Sequence, residues 1–177
     1  LGRGRSRVRR ARVGGVSLLR ADIRHLPFRS GAFDTVNAPY GILQSLLRER
    51  DLAATLSAVA GVLAKGGVLG LELVADLPKW KEYRQRVTLK GQRGHAGRPI
   101  TLLESVRQDP ERGLTCFDQE FVEGRGKSAL RRRFTLTFRT VTVPQMARRL
   151  EKAGFEVTAA LGRLLDGAVR GEPVVHG

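Results

Sequence analysis

An apolar face repeating at helical spacing, closed by two glycines and followed by an apolar run, restricts residues 51–74 to a helix feeding a buried strand. Asp51 stands at the expected N-cap, and Leu52, Leu56, Val59, Ala60 and Leu63 fall on one side of a 3.6-residue period. Gly66 and Gly67 predict the helix stop, because glycine accepts the left-handed conformation common at a helix C-terminus. The run Val68-Leu69-Gly70-Leu71-Glu72-Leu73-Val74 is apolar on both faces, which predicts a covered strand. Upstream, Val16, Leu18 and Leu19 predict a strand ending in Ala21-Asp22-Ile23, and the stretch from Ala32 to Pro39 predicts another. Strand, helix and strand joined by short links require parallel pairing with a right-handed crossover. The fold class is therefore α/β.

The 177 residues give room for one ordinary domain with a core. Lysine and arginine outnumber aspartate and glutamate 32 to 17, for a net charge of +15, and 26 of the 32 are arginine. Six arginines (Arg3, Arg5, Arg7, Arg9, Arg10, Arg12) lie in the first twelve residues, which hold no acid. That segment reads either as a nucleic-acid-binding tail or as the solvated face of an arginine-rich helix. The lone Cys116 can form no internal disulfide and fits a reducing cytoplasm; His25, His95 and His176 lie too far apart in sequence for metal-ligand spacing. Neither a secretory leader nor a run long enough to span a membrane is present in the sequence.

The pattern changes after Pro78. Trp80 to Arg98 is polar and shows no clear period, whereas Ile100–Arg107, Leu114–Glu123 and Ala129–Val143 alternate like strands. Phe134, Leu136 and Phe138 share one face of the last, opposite Thr135, Thr137 and Arg139. Turn residues at Asp109-Pro110-Glu111-Arg112-Gly113 and Gly124-Arg125-Gly126-Lys127 separate these strands, predicting an antiparallel meander inserted into, or laid against, the parallel sheet. A helix then starts at the capping box Thr142 and Gln145, with Pro144 in its first turn, and ends at Gly154 before a further strand.

Ligands of open parallel sheets bind beyond the carboxyl ends of the strands. The candidates there are Asp22 and Ile23, then Asn37, Ala38, Pro39 and Tyr40, then Glu72 with Asp76. A carboxylate at Asp22 can accept from an exocyclic amine while the next backbone N–H donates to a ring nitrogen, which suits an adenine edge. The same aspartate can equally cap a turn.

Four stretches carry a resemblance: Asp22-Ile23-Arg24-His25-Leu26-Pro27-Phe28, Gly31-Ala32-Phe33-Asp34-Thr35-Val36, Leu63-Ala64-Lys65-Gly66-Gly67 and Leu150-Glu151-Lys152-Ala153-Gly154-Phe155-Glu156-Val157. In order and interval they resemble successive landmarks of the class I S-adenosylmethionine-dependent methyltransferases. Residues 38–46 and the meander resemble a bacterial branch acting on small molecules. The resemblance implies a Rossmann-like methyltransferase sheet with an inserted antiparallel meander, S-adenosylmethionine as cofactor and a small-molecule methyl acceptor. It implies that Asp22 contacts the adenine amino group and the Ile23 backbone the ring, while Asn37 and Ala38 border the methionine part. No catalytic side chain is implied, since aligning the nucleophile supplies much of such a rate; His25, Tyr40 and His95 are the residues that could act as a base. Asn37-Ala38-Pro39-Tyr40 also resembles the Asn-Pro-Pro-Tyr element of amide and adenine methyltransferases, but it sits too soon after Asp34 and has Ala38 for the first proline.

On this mapping, residues 1–78 form a partial methyltransferase core, 79–142 the polar segment and meander, and 143–177 the helix and strand returning to the core sheet. The family's glycine-rich loop, and the acid that holds the ribose about twenty residues later, do not occur in these residues. The sheet is therefore expected to be N-terminally truncated, and the chain as given to bind S-adenosylmethionine poorly or not at all. Two other classes remain open: an RNA-binding protein or RNA methyltransferase, suggested by the charge, and a catalytically inactive interaction domain on the same fold.

Overall fold

The computed structural model describes residues 2–12, 14–74, 81–92, 97–162 and 172–176. The chain runs through helix α1 (Gly2–Arg10), strand β1 (Phe33–Ala38), a 3-10 turn (Ile42–Ser45), helix α2 (Glu49–Val62) and strand β2 (Leu63–Leu71). Strands β3 (Tyr83–Gln92), β4 (Pro99–Asp109), β5 (Leu114–Glu123) and β6 (Leu130–Arg139) follow, then α3 (Val143–Lys152), β7 (Glu156–Ala160) and β8 (Glu172–His176). Two four-stranded sheets result, of order β1-β2-β8-β7 and β3-β4-β5-β6. In the first, β1 and β2 are parallel and β8 is antiparallel to its neighbours; the second is antiparallel throughout.

Val36 pairs with Leu69 and Ala38 with Leu71, so these four side chains share one face of the first sheet. Against that face α2 buries Leu52, Leu56 and Val59, and α3 buries Met146 and Leu150, in one cluster with Leu43, Val141 and Phe155. Each such side chain contributes about 1.5–3 kcal/mol of transfer free energy. The other face of β1 bears Thr35 and Asn37, both exposed.

Several sequence-based expectations are corrected. Arg48, without a side-chain cap bond, precedes α2; Asp51 lies in the first turn, where its carboxylate accepts from Arg24 at 2.9 Å. An acid there still complements the helix dipole. Gly66 and Gly67 do not end α2, which already gives way at Val62; they lie in β2, where the register against β1 shifts between Phe33 and Thr35. Gly66 has φ 74°, and a side chain at Gly67 would meet the Ala64 carbonyl oxygen at 2.9 Å, so the irregular stretch itself needs both glycines. Residues 16–23 form no strand: among the described residues β1 is an edge with no neighbour on its free side, and Val16 and Leu19 stay exposed. Conversely, residues 83–92 are a strand. Arg84, Arg86 and Lys90 mask its alternation, and the register breaks twice against β4. The capping box of α3 forms as expected: Thr142 Oγ1 accepts from the Gln145 amide at 3.4 Å and Gln145 Oε1 from the Thr142 amide at 3.0 Å.

A polar joint fastens the two sheets together. Gln44 is completely buried; its Oε1 accepts from the Val74 amide at 2.8 Å, and its amide donates to the carbonyl oxygens of Arg139 at 3.1 Å and Val74 at 3.4 Å. Beside it, Glu49 receives Arg139 at 2.6 Å and Arg149 at 2.8 Å, tying the start of α2 to β6 and α3. Those guanidinium hydrogen bonds, Arg149 first, hold the Glu49 carboxyl down from its ordinary 4.5 to about 2. The stabilisation is complete above pH 4.5 and is lost as pH falls through about 2. Because Glu49 is half exposed, solvent screening leaves about 1 kcal/mol. Thermal melts between pH 6 and 2 are expected to fall less for Glu49→Gln than for the native chain, most of the difference of about 1 kcal/mol vanishing by the acid end.

Candidate functional site

Since α2 runs back against the direction of β1, its first turn lies at the carboxyl end of that strand. Asn37 and Ala38 end β1 there, and Arg24, which holds Asp22, reaches Asp51 in that first turn.

Asp22 is already engaged. Its Oδ1 accepts from the Arg24 amide and from Arg24 Nε, each at 3.0 Å, and its Oδ2 from Arg24 Nη2 at 2.7 Å. Arg24 also reaches Asp51 on α2, so the guanidinium clamps the 22–25 turn to the helix start. The hydrogen bonds from Arg24, side chain first, hold the Asp22 carboxyl far below the usual carboxylate range. Its side chain remains 45% exposed, so lone-pair directions stay open to an incoming donor. Ile23 is exposed beside it. The sequence did not reveal the Arg24 clamp, because a basic residue two positions after an acid has no distinctive spacing.

Asn37 and Ala38 end β1. The Ala38 carbonyl accepts from the Glu72 amide at 3.1 Å, continuing the parallel ladder past β2. Asn37 pairs with Gly70, and a Cβ built on Gly70 would lie 2.5 Å from Asn37 Oδ1. Glycine thus leaves the space in which the carboxamide lies across the strand pair. Next, the chain turns sharply: Tyr40 has φ 57° and Gly41 φ 62°. A left-handed tyrosine is costly, and the Glu72 carboxylate holds it there by accepting from the Tyr40 amide at 2.8 Å. Gly41 packs down against Gln44 and Val74, while Tyr40 is 84% exposed.

Of the residues that could serve as a base, His25 and Tyr40 are exposed at this end. His95 and Asp76 lie outside the described residues. Among the described residues no group of histidine, cysteine, aspartate and glutamate is arranged to hold a metal ion. No helix among them is long and apolar enough to cross a membrane.

Residues 1–71 match the methyltransferase domain family. No match was found among curated proteins. Among solved structures, an S-adenosylmethionine-dependent methyltransferase from Clostridium acetobutylicum ATCC 824 superposes with a TM-score of 0.72 at 13% identity, covering 99% of this chain and 68% of that one. An S-adenosylmethionine-bound amino pentose methyltransferase from Micromonospora echinaspora, involved in calicheamicin biosynthesis, gives 0.62 at 22%, covering 99% and 71%. A sugar N-methyltransferase from Streptoalloteichus sp ATCC 53650 gives 0.69 at 16%, covering 94% and 64%. The fold is that of the Rossmann-like methyltransferases. The family match spans residues 1–71, less than half of the 177-residue chain, and the similar structures show its fold.

Proposed function

We propose that the chain is the greater part of a methyltransferase that moves the methyl group of S-adenosylmethionine to a small-molecule acceptor. What supports this reading is the end of β1: Asn37 and Ala38 close the strand there, and Gly70 leaves the room in which the Asn37 carboxamide lies. The cofactor supplies an electrophilic methyl group. Asp22 and the Ile23 amide would hold its adenine, and Asn37 and Ala38 would border its amino-acid end. Tyr40, fixed outward by its own turn and by Glu72, would meet the acceptor. The amino pentose and sugar N-methyltransferases among the similar structures support a small, polar acceptor.

The glycine-rich loop of the family is not among these residues, and cofactor affinity is accordingly expected to be weak. Saturation-transfer NMR with S-adenosylhomocysteine at about millimolar concentration suits that regime. Adenine signals are expected with the native chain and are expected to vanish in Asp22→Ala and in Gly70→Val. Adenine signals that persist unchanged in Asp22→Ala would sink the assignment of this site, and micromolar affinity by calorimetry would overturn the expected weakness.

A further inference from the structure

The turn that carries Asp22 holds its carboxylate in one orientation. The Asp22 carbonyl accepts from the His25 amide at 3.0 Å and its side-chain Oδ1 from the Arg24 amide at 3.0 Å, so two backbone donors close residues 22–25 on themselves. The Arg24 side chain then folds back over the same carboxylate, with Nε donating to Oδ1 at 3.0 Å and Nη2 to Oδ2 at 2.7 Å. A carboxylate offers about four lone-pair sites. Those of Oδ1 are taken by the Arg24 amide and Nε, so the capacity that remains lies on Oδ2. The guanidinium is itself pinned, because Nη1 donates to Asp51 of α2 at 2.9 Å. A planar fork held at both ends loses little further freedom when a ligand arrives.

We infer that Arg24 is a positioning residue that sets the preference of this subsite for adenine, by fixing Asp22 so that Oδ2 meets the exocyclic amine. The inference rests on the cofactor reading above, in which Asp22 contacts that amine. An unclamped aspartate whose side chain is 45% exposed would rotate and exchange the amine for water at little cost. Clamped, it cannot swing aside, and a bound ring without the amine leaves Oδ2 unpaired beneath it. The preference between the two rings therefore measures the clamp, whereas simple bracing of the loop by Arg24 would change both affinities together. The charged and titratable groups around Asp22 are Arg24, His25 and, on the far side of the guanidinium, Asp51. Of these Arg24 dominates, its side-chain hydrogen bonds holding the Asp22 carboxyl far below the usual carboxylate range.

Saturation-transfer NMR titration of the full chain tests this, with S-adenosylhomocysteine and with its purine analogue, in which hydrogen replaces the exocyclic amine. The native chain is expected to favour the adenine ligand at least about tenfold. In Arg24→Gln the preference should fall to about threefold or less, and likewise in Arg24→Lys, since an ammonium cannot bridge both Asp22 oxygens and Asp51 at once. Carboxyl-carbon NMR without ligand reads the clamp directly: Asp22 should stay ionised well below its ordinary 3.8 in the native chain and titrate close to that value in Arg24→Gln. A native preference that survives in Arg24→Gln or in Arg24→Lys overturns the inference while leaving Asp22 as the adenine contact. So does a native Asp22 carboxyl that titrates near 3.8, a result that needs no bound ligand. Adenine signals that persist in Asp22→Ala overturn both the inference and the site on which it rests.

Discussion

Gln44→Ala is expected to lower unfolding stability by about 3 kcal/mol and to divide unfolding into two transitions. Removal of the carboxamide strands the Val74 amide and the Arg139 carbonyl in a site from which water is excluded. Each orphaned group costs about 1–3 kcal/mol, and the emptied volume adds to that. The loss falls at the seam between the sheets, since Val74 follows β2 and Arg139 ends β6. Hydrogen exchange should therefore quicken first along β3–β6 while α2 and β2 stay protected. Gln44→Glu should be no better, because a carboxylate has no N–H to offer the two carbonyl oxygens. Uniform loss of protection across the chain in Gln44→Ala would show that Gln44 is only one core residue among many.

Leu56→Ala gives the contrasting case. Leu56 is 1% exposed and belongs to the cluster that α2, α3 and the first sheet all share. Truncating such a leucine costs about 2–5 kcal/mol, through lost transfer free energy and an unfilled cavity. Here the loss should be spread over the methyltransferase-like half, with α2, α3 and β1 losing hydrogen-exchange protection together. Urea titration followed by circular dichroism would show a single transition at a lower midpoint, against two for Gln44→Ala. A cost below about 1 kcal/mol would mean that the cluster collapses freely into the gap.

Legibility in the sequence followed the range of the interactions. β1, α2, the strands of the meander and the capping box of α3 were visible because local periodicity and turn chemistry dictate them. The face shared by Phe134, Leu136 and Phe138 was visible too, but alternation alone carried no sign that Phe134 and Leu136 would stay half exposed. The expected strand at 16–23 failed because a strand needs a partner as well as an apolar run. β3 was hidden because an edge strand with Arg84, Arg86 and Lys90 has little alternation to read. At the candidate site, Asp22, Ile23, Asn37 and Ala38 were selected by position after apolar runs. Their setting depends on long-range partners: Arg24 reaching Asp51, Gly70 beside Asn37, Glu72 under Tyr40. Separations of about thirty residues leave no pattern in a single sequence.

The two sheets also differ in when they can form. Every pairing in β3-β4-β5-β6 joins strands adjacent in sequence, so hairpins of this kind close within about microseconds. β2, in contrast, takes its second neighbour from residues 172–176, about a hundred positions further along, and such distant closure slows assembly. During synthesis the meander therefore emerges and pairs while the parallel strands beside it still lack a flank. A nascent chain stalled before β8 should expose one side of β2, which makes that interval the one in which aggregation competes with folding.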